Sequence, residues 1–183
     1  MVGAKNFSPL HYFRFIMKVL GVDPGLLRTG YGLIEAKGPD EIRLIEAGTI
    51  KTSPEDGIAA RVTDIYRNLG DIIKEHNPEV LVLEKLYSHY KHPITSILMG
   101  HSRGVVCLAC GMHNVKLVSY PATRIKKVIT GNGRAGKRQI QGMVRSMLEL
   151  EATPETFDVS DALAMAISYV QIEGIKNMVN SSQ

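Results

Sequence analysis

The stretch MKVLGVDPG, residues 17–25, decides the fold. Its apolar run is short, ends in an acid and meets Pro-Gly, which reads as a buried strand delivering Asp23 to a turn. Working outward, residues 30–36 and 41–52 read as two further strands joined by the turn Gly38-Pro39-Asp40, so the chain opens as an antiparallel meander. From Ile58 the residues Val62, Ile65, Leu69 and Ile73 recur at helical spacing, and Asn77-Pro78 stops that helix. Residues 79–84 (EVLVLE) form a second buried run that also ends in a carboxylate, Glu84. Residues 93–111 are apolar and helical, residues 115–120 give a fifth strand, and Pro121 suits the first turn of a helix. Gly131-Asn132-Gly133 breaks the chain before helices over 137–150 and 158–172. The order predicts one α/β domain over residues 17–175, a mixed five-stranded sheet flanked by helices. It is compatible with an RNase H-like fold and with other α/β folds, so order alone does not decide function.

Composition narrows the setting. Of 183 residues, 44% are hydrophobic and 22% charged, ordinary values for a globular protein. No stretch reads as a continuous run of the roughly 20 apolar residues that cross a membrane, so a soluble protein is expected. Cys107 and Cys110 are the two cysteines, which argues against a disulfide scaffold and fits the cytoplasm. Residues 1–16 lack a secretory pattern and precede a second methionine, Met17. They are expected to be a disordered leader or expression remnant, and residues 176–183 a flexible tail.

Charge is unevenly spread. The net charge is +4, yet between Glu84 and Glu149 there is no acid, and eleven of the 22 lysines and arginines lie there, leaving 11 − 18 = −7 on the rest of the chain. A basic stretch inside an acidic domain is the footprint of a polyanion-binding face, against the plainer reading of solvated lysines on unrelated surfaces.

Four acids are oddly placed. Asp23 and Glu84 each end a buried strand, and Asp158 and Asp161, three apart, share one face of the last helix. Like charges about 4 Å apart repel by roughly 4 kcal/mol at an effective dielectric near 20, so a convergent cluster calls for a cation. Oxygen-only ligands select Mg²⁺ or Mn²⁺ over zinc, and a pair of such ions suits phosphodiester hydrolysis. Asp158 and Asp161 could instead cap a helix and oppose its dipole, a role that does not explain Asp23 or Glu84.

Gly21-Val22-Asp23-Pro24-Gly25 followed by Thr29-Gly30-Tyr31-Gly32 resembles the opening motif of the RuvC family. Val82-Leu83-Glu84 resembles its second motif, and the run from Asp158 through Asp161 to Ala164 its last. The likeness covers residues 17–170. It implies an RNase H-like fold and a Holliday-junction endonuclease with Asp23, Glu84, Asp158 and Asp161 as catalytic metal ligands, holding Mg²⁺ or Mn²⁺, two ions per active site. It also implies a homodimer that nicks opposed strands of a four-way DNA junction, with RuvA and RuvB as partners.

Lys126, Lys127, Lys137 and Arg138 flank the loop 131–136, whose glycines let backbone approach a phosphate, and the resemblance assigns Lys126 and Lys137 to junction DNA. Tyr87, between Lys85 and Lys91, could stack on an unpaired base or simply pack. A P-loop is excluded, since Gly136-Lys137-Arg138 lacks the Ser or Thr that motif needs. His89, His92 and His101 with the two cysteines lack zinc spacing. Three other functions remain: an RNase H-like nuclease on structured RNA, a kinase or actin-like ATPase, whose fold needs two such domains, and a non-cleaving junction-binding module.

Overall fold

The computed structural model describes residues 16–85 and 93–180. In chain order these form β1 (Met17–Asp23), β2 (Arg28–Gly38), β3 (Glu41–Lys51), α1 (Ile58–His76), β4 (Val80–Glu84), α2 (Pro93–His113), β5 (Lys116–Tyr120), α3 (Ala122–Thr130), α4 (Lys137–Met147) and α5 (Phe157–Asn180). The five strands make one sheet in the order β3-β2-β1-β4-β5. The first three are antiparallel, as the short turns between them require, and β4 and β5 run parallel to β1 through helical crossovers.

Alternating side chains of the central strands fill two cores. Leu20, Val22, Leu81 and Leu83 point to one face and meet Ile65 and Leu69 of α1 with Val106 and Ala109 of α2. Val19, Val80 and Val82 point to the other, against Ile125, Ile140, Val144, Leu163 and Ile167 of α3, α4 and α5. Each such fully buried branched side chain contributes roughly 1.5–3 kcal/mol.

Three expectations change in detail. The helix expected over 137–150 ends at Met147, because Glu149 takes a positive φ of 51° and Arg145 turns back to donate to the carbonyls of Leu150 and Glu151. α5 continues past the expected boundary at 175, its backbone helical to Asn180. Finally, residues Ile94–His113 form a 20-residue helix of mean hydropathy 1.2, long and apolar enough to cross a membrane by those two measures. Its inner stripe, Ser102, Val106, Ala109 and Cys110, is buried against the domain, which is the pattern of a helix packed on a sheet.

Candidate active site

The register of β1 with β4 pairs Val22 with Leu83, so Asp23 and Glu84, the next residue of each strand, emerge side by side at the C-terminal edge of the sheet. α5 then comes down onto that edge with almost no space between. A Cβ on Gly21 would stand 1.8 Å from the Ala162 carbonyl oxygen, one on Gly30 2.3 Å from the Asp158 oxygen, and one on Gly32 2.5 Å from Leu163 Cδ2. Gly21 and Gly32 are partners across β1 and β2, as are Asp23 and Gly30. These three glycines therefore form a trough in which the first turns of α5 lie on bare backbone, with Asp158 over the partner of Asp23.

Asp23, Glu84 and Asp161 line one cleft of about 370 Å³, with Lys126 of α3 and Lys137 of α4 in its wall. Asp158 does not line the cleft but adds its charge to Asp23 from above. Burial pushes the Asp23 carboxyl up to about 7, with Asp161, Asp158 and Glu84 adding to the rise and Lys137 opposing it. Burial also raises Glu84, helped by Asp161 and opposed first by Lys126; Glu84 reaches solvent at the cleft mouth, which screens part of this effect. Asp161 is raised by burial, opposed by Lys137, whose ammonium stands 3.6 Å from its Oδ2. Lys137 is also held 5.7 Å over the ring of Phe157.

An all-carboxylate donor set fits a hard divalent cation, which would relieve the repulsion that raises these groups. Among the described residues no three His, Cys, Asp or Glu side chains stand close enough together to form a ready cage, and Lys137 supplies the positive charge against Asp161.

Asp23 keeps its proton to about pH 7 in the fold against 3.8 ordinarily. Its ionisation thus costs nothing below about pH 4 and destabilises progressively until full above about pH 7. In EDTA, wild-type protein is expected to melt several degrees lower at about pH 8 than at about pH 5.5, and Asp23→Asn to flatten most of that slope in scanning calorimetry. An unchanged slope in the Asn variant would contradict the burial of this charge.

Three cations of the basic stretch have partners within the domain. Arg103 turns inward to the Glu84 carbonyl, Arg145 ties down the end of α4, and Arg124 lies 5.2 Å over the Tyr120 ring. Lys126 and Lys137 reach the cleft, whereas Lys127 and Arg138 are exposed on the same two helices without lining it. The loop 131–136 between them is tied down by its own hydrogen bonds. Asn132 N–H donates to Thr130 Oγ1, Arg134 N–H to Asn132 Oδ1 at 3.0 Å and Gly136 N–H to Gln139 Oε1 at 2.9 Å, so those three donors are engaged. Tyr87, His89 and His92 lie outside the described residues.

Residues 19–169 match the family described as "Crossover junction endodeoxyribonuclease RuvC". The chain belongs to the RuvC family. Among its RuvC relatives, that of Rhodopirellula baltica is 46% identical over 149 residues, covering 81% of this chain and 83% of the relative. That of Caldicellulosiruptor saccharolyticus is 42% identical over 154 residues, covering 84% and 92%. The solved structure described as "T. thermophilus RuvC in complex with Holliday junction substrate" superimposes with a TM-score of 0.82 at 28% identity, over 87% of this chain and 96% of that one. The yeast mitochondrial Holliday junction resolvase Ydc2, at 12% identity, shares the fold with a TM-score of 0.64 over 91% of this chain and 85% of its own. The α/β fold expected from sequence is thus the RNase H-like fold of these nucleases.

Sequence reasoning passed over two structural contributors. Gly21, Gly30 and Gly32 signal close approach, because glycine inside a strand is unfavourable without a reason. Arg103 gives no signal in sequence beyond its charge.

Proposed function

We propose that this chain is a metal-dependent endonuclease that resolves Holliday junctions by symmetric nicking of two opposed strands. The observation that carries this reading is the convergence of Asp23, Glu84 and Asp161 with Lys126 and Lys137 in one cleft, roofed by the helix that bears Asp158. Asp23, Glu84, Asp158 and Asp161 are the residues to hold Mg²⁺, or Mn²⁺ in its place, two ions per site. When bound, the metal supplies charge neutralisation at the phosphate and a stronger water nucleophile. Lys126 and Lys137 position the scissile phosphate at the cleft wall, and Lys127 and Arg138 extend the contact along the strand.

Two opposed nicks need two sites, and α2 supplies a surface for a second copy. Ile94, Ile97, Leu108 and Met112 are 73%, 61%, 55% and 63% exposed along it, an apolar strip on a helix that packs on the domain through Ser102, Val106, Ala109 and Cys110. The homodimer forms there. RuvA and RuvB are the further partners that the family resemblance implies, and the free thiols of Cys107 and Cys110 suit the cytoplasm.

Purified protein incubated with a synthetic four-way junction and Mg²⁺ is expected to give paired, symmetric nicks. No nicking in Mg²⁺ or Mn²⁺ would overturn the proposal, and preferential cutting of an RNA–DNA hybrid would replace it with the RNA-processing alternative. Lys126→Gln and Lys137→Gln are each expected to weaken junction binding about equally across sequences and to lower the slope of log affinity against log salt by about 1. An unchanged slope in titrations would place both lysines off the DNA.

A further inference from the structure

Two consecutive residues of α2 grip the chain beside both acids. β4 ends at Glu84, and the last pair it makes with β1 is Val22 with Leu83. On the other side the sheet continues, because Lys85 N–H donates to the Tyr120 carbonyl at 2.8 Å. On the β1 side the residue after Asp23 is Pro24, which has no N–H to offer the end of β4. Arg103 takes up that role: Nη1 donates to the Glu84 carbonyl and Nη2 to Ser119 Oγ of β5 at 3.1 Å. Its neighbour Ser102, fully buried, shares its single hydroxyl proton between the Met99 carbonyl at 3.1 Å and the Pro24 carbonyl at 3.4 Å. Met99 in turn lines the cleft. One turn of α2 therefore touches the backbone just past Asp23, the backbone of Glu84 and the cleft wall.

We propose that Arg103 is a positioning residue for the metal site: its planar fork fixes the end of β4 so that the Glu84 carboxylate faces Asp23 and Asp161. Lysine cannot replace the fork, since a single ammonium does not span a carbonyl and a hydroxyl on adjacent strands in fixed geometry. Because the same helix carries the apolar strip assigned to the second copy, the strut also links that surface mechanically to the site. The inference rests on the metal-binding reading proposed above.

The test compares wild type, Arg103→Met, which keeps the apolar stem, Arg103→Lys, and Ser119→Ala, which removes one acceptor of the fork. Manganese affinity is read by calorimetry without DNA, and junction affinity separately in EDTA. Arg103→Met is expected to weaken Mn²⁺ binding by about 10- to 100-fold with junction affinity within about twofold, Arg103→Lys to recover part of the loss, and Ser119→Ala to shift Mn²⁺ affinity a few-fold the same way. In cleavage assays, raising Mg²⁺ should restore much of the Arg103→Met rate. Wild-type Mn²⁺ affinity in both Arg103→Met and Ser119→Ala would overturn the proposal, as would a loss of junction affinity with Mn²⁺ binding intact, which would make Arg103 a phosphate contact. If Arg103→Met does not fold, Ser119→Ala decides alone. A wild-type protein that binds no Mn²⁺ would fail the underlying reading instead.

Discussion

Asp23→Asn is expected to bind a four-way junction with close to wild-type affinity and to cut it on the order of 10³-fold more slowly, or not at all. The substitution keeps shape and removes one negative charge from the residue on which the other three acids act. Lys126 and Lys137, the cleft residues assigned to phosphate, stay in place, so the electrostatic part of DNA affinity survives. Single-turnover cleavage in Mg²⁺ beside equilibrium binding in EDTA separates the two. Cleavage within about tenfold of wild type would remove Asp23 from the chemistry, and an equal loss of binding would make it a fold residue instead.

The second large effect concerns a residue with no side chain. Gly21→Ala puts a carbon where the Ala162 carbonyl oxygen stands, 1.8 Å away, with the Ala162 carbonyl carbon at 2.8 Å and the Ala166 nitrogen at 3.1 Å. These are backbone atoms in the first turns of α5 and cannot rotate aside. α5 must lift off β1 and β2, so a loss of about 3 kcal/mol or more is expected in urea unfolding, and Gly21→Val is expected not to fold. Gly142→Ala is the control: on α4 a Cβ there meets nothing within 4 Å, and alanine suits an exposed helix better by roughly 0.5–1 kcal/mol. Equal stability of Gly21→Ala and wild type would mean that α5 does not seat in the glycine trough.

How far the sequence reaches can be seen in particular residues. β1 and β4 were legible because a short apolar run closed by an acid has few readings, and the meander because Gly38-Pro39-Asp40 leaves little room for anything but a turn. The four acids were legible as a set because their order and spacing resemble a known family. The meeting of three of them, Asp23, Glu84 and Asp161, in one cleft was not, since it depends on the parallel pairing of β1 with β4 and on the depth at which α5 sits, both set by contacts between distant residues. Charge is ambiguous in one respect. Eleven cations close in sequence suggest one surface, yet Arg103 and Arg145 satisfy backbone carbonyls, a use that composition cannot distinguish from solvation. The apolar length of α2 carries a similar ambiguity, because one stripe faces the core and the other faces out.

The proposed metal site is tested most directly by calorimetric titration of Mn²⁺ into wild type, Asp23→Asn, Glu84→Gln and Asp161→Asn without DNA. Wild type is expected to bind, and each substitution to weaken binding by at least about tenfold, because the three carboxylates line one cleft and, on the proposed reading, share its ions. Wild-type affinity retained in Glu84→Gln or Asp161→Asn would show that these acids hold no common cation.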